Sequence, residues 1–206
     1  MSTNLYQLPT DLPRPIDDGA AVHLEGALLP DVVLHATDGA FVNLGGLKGR
    51  FVIYVYPMTG RPNVPLPDRW DGIPGARGCT PQTCSFRDHY DELKELGAGV
   101  FGVSAQTSEY QREARDRLHL PFQLLSDGGL QLKSALRLPT FTVGSMELFK
   151  RLTLITEDGK IRKVFYPVFP PDRNADEVLA WLRSDAQPGG TACGSPLSYH
   201  VGHTVY

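Results

Sequence analysis

Two of the three cysteines in this 206-residue chain, Cys79 and Cys84, lie five positions apart in the segment GARGCTPQTCSF. Cys79 stands where a helical pattern begins, and the free N–H groups and dipole of a helix N-terminus favour negative charge. Arg77 adds a cation two residues earlier. Because the thiolate is the nucleophile and the form that reacts with oxidants, the sequence predicts that Cys79 is a reactive cysteine.

The spacing of this pair is longer than the two-residue gap of a redox dithiol. In an intact helix, residues five apart are separated by ~7.5 Å of rise, whereas a disulfide needs Cα atoms closer than about 7 Å. We therefore hypothesise that Cys79 and Cys84 join only when the first turns of the helix unwind. The competing interpretations are that Cys79 is a small buried apolar residue and that Cys84 is inert.

A zinc site is not expected from these cysteines. A tetrahedral site takes four ligands, usually in two closely spaced pairs. The chain has one such pair, and its six histidines are scattered singly. No metal or other cofactor is therefore predicted.

The segment after Cys79 has the periodicity of a helix. Pro81 suits the first turn, and Gly97 is a residue type that commonly ends a helix. Apolar residues recur at spacings of three and four, which predicts an amphipathic helix over residues 80–96: Phe86, Tyr90, Leu93 and Leu96.

The remaining pattern predicts an α/β fold. The run FVIYVYP at 51–57 is typical of a central strand covered on both faces. Asn174 is interpreted as the cap of a closing helix. Hairpins, strands and helices alternate along the chain, so we expect a central mixed β-sheet with helices on both faces: hairpins at 31–50 and 151–167, strands at 99–105 and 122–127, and helices at 107–118, 129–138 and 174–185.

Composition and charge limit the partners and the cellular compartment that the sequence predicts. A net charge of −3 gives no sign of the basic surface that nucleic-acid binding needs. No stretch approaches the ~20 apolar residues of a membrane span, and the first residues lack the basic and apolar segments of a secretory signal. An odd number of cysteines without such a signal argues against a structural disulfide framework. We expect a cytoplasmic protein that binds neither nucleic acid nor membrane.

The cysteine region resembles the peroxiredoxins, and within them the peroxiredoxin Q group, also called bacterioferritin-comigratory protein. That group carries a Gly-Cys-Thr, a second cysteine five positions on, and a Phe-Arg-Asp, and this chain has them at 78–80, Cys84 and 86–88. The resemblance runs from about residue 25 to 184. It implies a thioredoxin-like fold with an N-terminal β-hairpin.

The resemblance also implies the chemistry of a thiol peroxidase with an antioxidant role. Cys79 matches the peroxidatic cysteine that attacks hydrogen peroxide or an organic hydroperoxide, and Cys84 matches the resolving cysteine that forms an intramolecular disulfide with it. Arg151 matches a family arginine that would stabilise the thiolate and orient the peroxide. Thioredoxin or a similar dithiol, such as a glutaredoxin-like protein, would reduce the disulfide.

The chain departs from the family in the loop before Cys79. The family has proline seven residues before its peroxidatic cysteine and threonine or serine three before it, where this chain has Gly72 and Ala76. Pro57 directly follows the central strand, as the family proline does, so we interpret residues 58–76 as an inserted loop. The hydroxyl that would bind thiolate and peroxide is then assigned to Thr59, with Thr80 as second candidate. Trp70 is expected to pin the loop to the core.

The sequence divides into three parts. Residues 1–24 are interpreted as an arm, residues 25–185 as the thioredoxin-like domain, and residues 186–206 as a flexible tail that carries Cys193. Cys193 is expected to be idle; the alternatives are pairing with a second chain and service as an extra resolving thiol. The protein is expected to be a monomer or a weak homodimer.

Two other functions stay open from the sequence. A thioredoxin-like thiol–disulfide oxidoreductase is one, because the LPTFTV segment at 138–143 faintly resembles the Pro-Thr that faces a redox dithiol in thioredoxins. A non-catalytic redox-sensing or interaction protein is the other. Peroxide consumption, disulfide reduction and the reactivity of the Cys79 thiol would separate the three.

Overall fold

The computed structural model describes residues 4–186 of the chain. Cys193 and the rest of the tail from residue 187 lie outside the described residues. Within the described part, no helix is long and apolar enough to cross a membrane.

Seven strands form one mixed sheet: β1 (Val33–Ala36), β2 (Phe41–Asn43), β3 (Arg50–Val55), β4 (Ala98–Ser104), β5 (Gln123–Ser126), β8 (Leu152–Glu157) and β9 (Lys160–Phe165). Their order across the sheet is β2-β1-β5-β4-β3-β8-β9. The strands β3, β4 and β5 run parallel, and every other pairing in this sheet is antiparallel. The two predicted hairpins are therefore present, as β1–β2 and β8–β9.

Helices cover both faces of the sheet, as the pattern predicts. Side chains alternate along β3, so Val52 and Tyr54 pack with helices on one face while Ile53 and Val55 pack on the other. The first face carries α1 (Cys79–Asp88), α2 (Tyr90–Glu95), α3 (Ser108–Arg117) and α5 (Asn174–Asp185), and the second carries α4 (Gln131–Leu136). This double burial is the reason that the central strand has an unbroken apolar sequence.

The single helix predicted over residues 80–96 is wrong in one respect. It breaks at His89, where the backbone leaves helical geometry with φ −101° and ψ 12°. The imidazole of His89 lies 2.7 Å from Glu92 and 3.1 Å from Asp176, so it joins α2 to α5. The spacing of the apolar residues gives no sign of this break, because the same spacing fits one continuous helix and two consecutive helices.

The prediction that Asn174 caps the closing helix is also wrong. Arg173 occupies the cap position, and Asn174 is the first helical residue. Its side chain is fully buried and accepts hydrogen bonds from Gln82 and Thr153. Tertiary partners thus replace the local N–H groups that a capping asparagine would bind.

A further hairpin, β6 (Thr140–Val143) and β7 (Met146–Phe149), forms a separate two-stranded sheet that the sequence pattern did not predict. The inserted loop packs against it. Trp70 is 3% exposed and contacts Phe141, with 6.2 Å between the ring centroids. Trp70 therefore pins the loop to the domain, as expected.

The N-terminal arm contains no helix or strand between residues 4 and 24, yet it lies on the domain. Asp18 accepts hydrogen bonds from Lys150 and Tyr166. The guanidinium of Arg14 sits 5.4 Å from the ring centroid of Phe169. The arm is held by side chains, which matters below because its first residues reach Cys79.

Candidate active site

Cys79 is the first residue of α1 and lies at the end of the sheet where the central strand β3 has its C-terminus. Gly78 precedes it with φ +100°, a left-handed conformation that favours glycine. The tight turn places the Cys79 side chain inside the domain, where it is 3% exposed. Its Sγ lies 3.6 Å from the carbonyl oxygen of Ala76.

Arg151 supplies the buried cation beside this sulfur. It stands just before β8, and because β8 runs antiparallel to β3, its side chain reaches the same sheet edge as Cys79. Its Nη2 donates to Cys79 Sγ at 3.1 Å. The same nitrogen lies 3.1 to 3.2 Å from three carbonyl oxygens of the preceding loop, those of Gly75, Ala76 and Arg77.

This arrangement favours a negative charge on the sulfur. Arg151 is 3% exposed, and a guanidinium at hydrogen-bond distance in such a low-dielectric setting stabilises a thiolate more than a solvated cation would. The two protons on Nη2 face four acceptors, namely the sulfur and the three carbonyl oxygens. The sequence-predicted pair Cys79 and Arg151 is therefore brought into contact.

A chain of buried amides orients Arg151. Gln82, one turn after Cys79, accepts from Arg151 Nη1 through Oε1. The other end of Gln82 donates to Asn174 Oδ1 at 2.9 Å, and Thr153 donates to the same oxygen at 2.6 Å. All three partners are fully buried, so the Gln82 side chain has one orientation in which its oxygen faces the guanidinium.

Replacing Gln82 with leucine is expected to slow the reaction of Cys79 with peroxide about tenfold. An unmade buried hydrogen bond costs about 1–3 kcal/mol, and about 1.4 kcal/mol of lost positioning is a factor of ten in rate. Stopped-flow measurement of thiol oxidation checks this. Gln111→Leu is the control, because Gln111 is equally buried but donates to carbonyls beside β4 and β5, and its variant should keep the rate. Equal rates for the Gln82→Leu variant and the wild type would contradict the assigned role.

The two candidate hydroxyls lie in different places. Thr59 is buried, and its hydroxyl donates to Gln106 Oε1 at 3.2 Å, while its backbone binds both ends of the same amide. The carbonyl of Pro57 accepts from Ser104 at 2.9 Å. Thr80, in contrast, lines a small crevice together with Cys79. The geometry thus gives the Thr59 assignment no support and leaves Thr80 beside the sulfur.

Cys84 lies in the same helix as Cys79, and both thiols are free. Burial raises the pKa of the Cys84 thiol, opposed in part by Arg87. The first turn is intact, with Gln82 N donating to Gly78 O at 3.0 Å. The structure therefore shows the state in which the helix holds the two thiols apart.

Sequence reasoning missed the positioning residues Gln82, Thr153 and Asn174. One signal could have found Gln82, because a residue three positions after Cys79 lies on the same face of a helix. Nothing in the sequence indicates that Thr153 and Asn174 meet there. Within residues 4–186, no group of three or more His, Cys, Asp or Glu side chains could hold a metal ion.

Comparison with known proteins finds relatives along most of the chain. A family model described as Redoxin matches residues 24–179. Peroxiredoxin Q, chloroplastic, from Suaeda salsa is 31% identical over 161 residues, covering 78% of this chain and 68% of the relative. The chloroplastic peroxiredoxin Q from Sedum lineare is 30% identical and covers 78% of each.

The chain belongs to the peroxiredoxin Q family. Among solved structures, this peroxiredoxin resembles peroxidoxin BcpB from Mycobacterium tuberculosis, with a TM-score of 0.63, 25% identity and coverage of 78% of this chain and 96% of the other. A bacterioferritin comigratory protein from Xanthomonas campestris has a TM-score of 0.61 at 23% identity, covering 79% and 100%, which shows the shared fold. The thioredoxin-like fold and the family resemblance are therefore confirmed.

Family membership makes this peroxiredoxin a thiol peroxidase. Peroxiredoxins act on peroxides and are reduced by thioredoxin-like partners, and within residues 4–186 the buried thiol of Cys79 lies beside the guanidinium of Arg151. The two alternative functions considered from the sequence are accordingly disfavoured.

Proposed function

We propose that Cys79 is the peroxidatic cysteine and that it reduces hydrogen peroxide and organic hydroperoxides. The observation that carries this assignment is the 3.1 Å contact between Arg151 Nη2 and Cys79 Sγ at the start of α1. The thiolate attacks one peroxide oxygen, the O–O bond breaks, and a sulfenic acid forms on Cys79. The second oxygen leaves with a proton as water or an alcohol.

Cys84 is proposed as the resolving cysteine. Its thiolate attacks the sulfur of the Cys79 sulfenic acid, an S–S bond forms, and water leaves. The intact helix prevents this step because of the ~7.5 Å rise between the two positions, so the first turns of α1 must unwind. Thioredoxin or a glutaredoxin-like dithiol then reduces the disulfide by exchange.

Peroxide turnover by two cysteine variants tests both roles. The Cys79→Ser variant is expected to consume no peroxide in a thioredoxin-coupled assay. Cys84→Ser should react once, retain a sulfenic acid that dimedone traps, and fail to cycle. Turnover by the Cys79→Ser variant would reject the assignment, and full cycling by Cys84→Ser would transfer the resolving role to another thiol such as Cys193.

The rate of disulfide formation is expected to rise as the pH increases above about 8.5, the ordinary pKa of a thiol. Burial raises the pKa of Cys84 in the folded helix, so the folded form favours the neutral thiol. The stability that this gives the helix is present at lower pH and is lost as the pH rises through the raised pKa. Rapid-quench mass spectrometry of the Cys79–Cys84 disulfide after one equivalent of peroxide measures the rate. A pH-independent rate would contradict the expectation.

We further propose that the protein works in the cytoplasm, in antioxidant defence, as a monomer or weak homodimer. The support is chemical, because each turnover ends in a disulfide that needs a reducing partner, and such partners abound in reducing compartments. Cell fractionation tests the location. Light scattering of the reduced and oxidised protein tests the oligomeric state.

A further inference from the structure

Residues 4–8 of the N-terminal arm, here called the strap, lie across the active site. Arg77 Nη2 donates to the carbonyl oxygen of Asn4 at 2.7 Å, and Arg117 Nη1 donates to the hydroxyl of Tyr6 at 3.2 Å. These two bonds hold the strap against the first turns of α1, the part of the helix that carries Cys79 and Cys84. On one side its residues line the space beside Cys79, and on the other they line the space beside Cys84.

The crevice beside Cys79 is narrow. Its volume of about 10 Å³ is close to the roughly 10–15 Å³ that a single water molecule needs. Hydrogen peroxide has two oxygen atoms, and an organic hydroperoxide is larger still. Because Cys79 is also 3% exposed, a wall of the crevice must move before a substrate reaches the sulfur by this route, and a bulky substrate requires the larger movement.

Leu5 is the wall that the N-terminal arm contributes. The other walls belong to the domain: Trp70 is buried against the β6–β7 hairpin, Met58 and Leu66 of the inserted loop pack against the same cluster, and Gly78 and Thr80 belong to the start of α1. Leu5 belongs to a segment without helix or strand, and its side chain packs against the backbone of Gly60. Segments with few backbone bonds open at low free energy.

We propose that Leu5 is the gate of the peroxide entrance and sets the size selectivity of the enzyme. This inference rests on the proposed peroxidatic role of Cys79. Small peroxides reach the sulfur after a small displacement of the Leu5 side chain. Bulky hydroperoxides reach it only after the whole strap has moved away from the crevice. Leu66 of the inserted loop lines the same crevice, but it packs against the cluster of Trp70 and Leu148, whereas Leu5 packs against none of the buried clusters of the described residues.

Leu8, further along the strap, lies near the other thiol, that of Cys84. Leu8 packs against Gly78 and, with Tyr6, lines a cleft of about 390 Å³ that contains Cys84. A change at Leu8 is therefore expected to alter the unwinding of α1, while a change at Leu5 alters access to Cys79. The two leucines form a matched pair within one strap.

Single-turnover oxidation of the full-length protein tests the gate. Stopped-flow rate constants are measured with hydrogen peroxide and with cumene hydroperoxide for the wild type and for the Leu5→Ala, Leu5→Phe, Leu8→Ala and Val22→Ala variants. Leu5→Ala is expected to raise the ratio of the cumene to the hydrogen peroxide rate constant about tenfold, a usual size for a change of a few methylenes in a pocket. Leu5→Phe should lower the ratio.

Two controls complete the design. Leu8→Ala should keep the ratio and accelerate formation of the Cys79–Cys84 disulfide, and Val22→Ala, whose side chain is 78% exposed, should change neither. An unchanged ratio in both Leu5 variants overturns the gate. Peroxide consumption by the Cys79→Ser variant would instead overturn the proposed function, so the two failures are distinguishable.

Discussion

Replacing Arg151 with methionine is expected to slow the reaction of Cys79 with hydrogen peroxide at least about 100-fold, the usual cost of removing one preorganised donor from a buried site. The guanidinium is the cation within 3.1 Å of the sulfur, and it also holds the carbonyls of residues 75–77 around the thiol. Methionine has a similar length but neither charge nor donors. Competition kinetics against a second peroxidase measures the rate constant.

The Arg151→Lys variant separates charge from geometry. A lysine ammonium keeps the charge but lacks the planar fork that binds the sulfur, Gln82 and the loop carbonyls together, so we expect only partial recovery of the rate. Arg50→Met is the matched control. Arg50 lies at the opposite end of β3, where it pairs with Glu157 and Asp185, and its loss should leave the peroxide rate unchanged.

A structural role alone would give a different result for Arg151. In that case the melting temperature would fall while iodoacetamide alkylated Cys79 at the wild-type rate. The assigned role predicts that alkylation at neutral pH slows in parallel with the peroxide reaction, because both depend on the thiolate. Unchanged alkylation in a folded Arg151→Met protein would contradict it.

The Gly78→Ala variant is expected to lower the free energy of unfolding by about 2–5 kcal/mol. A side chain at φ +100° costs about 1–3 kcal/mol, and overpacking costs a similar amount. A Cβ at this position would meet the Pro171 ring and would lie 2.7 Å from Leu8 Cδ2. For a domain of this size the melting temperature should fall by about 4–20 °C, as measured by thermal denaturation.

Two other glycines separate the causes. At Gly39, φ is +94° and an added Cβ would have no other atom within 4 Å, so Gly39→Ala reports the backbone cost alone. Gly72 has neither constraint, and Gly72→Ala should be close to neutral. If Gly78→Ala were no worse than Gly39→Ala, the close approach of Pro171 would carry no energetic weight.

Much of the fold follows from local pattern. Three such patterns are the unbroken apolar run of β3, the helical stripe after Cys79, and the Asp-Gly pairs at 38–39 and 158–159 that form the turns of the two hairpins. Each is determined by neighbours in the chain. The same holds for the reactive position of Cys79, because a helix N-terminus is a local feature. The break at His89 could not be predicted in this way because its partners, Glu92 and Asp176, include a residue from the closing helix.

The sequence by itself determined the α/β class, the position of Cys79 at a helix start, and a Cys84 that the helix keeps at a distance. Only the tertiary structure decided what surrounds the sulfur. The chain of Gln82, Asn174 and Thr153 joins segments far apart in sequence, and the Thr59 hydroxyl turns to Gln106 because that amide faces it across the sheet edge. The strap reaches Cys79 for the same reason, since contacts between distant segments depend on packing and leave no periodic signal in the residues that make them.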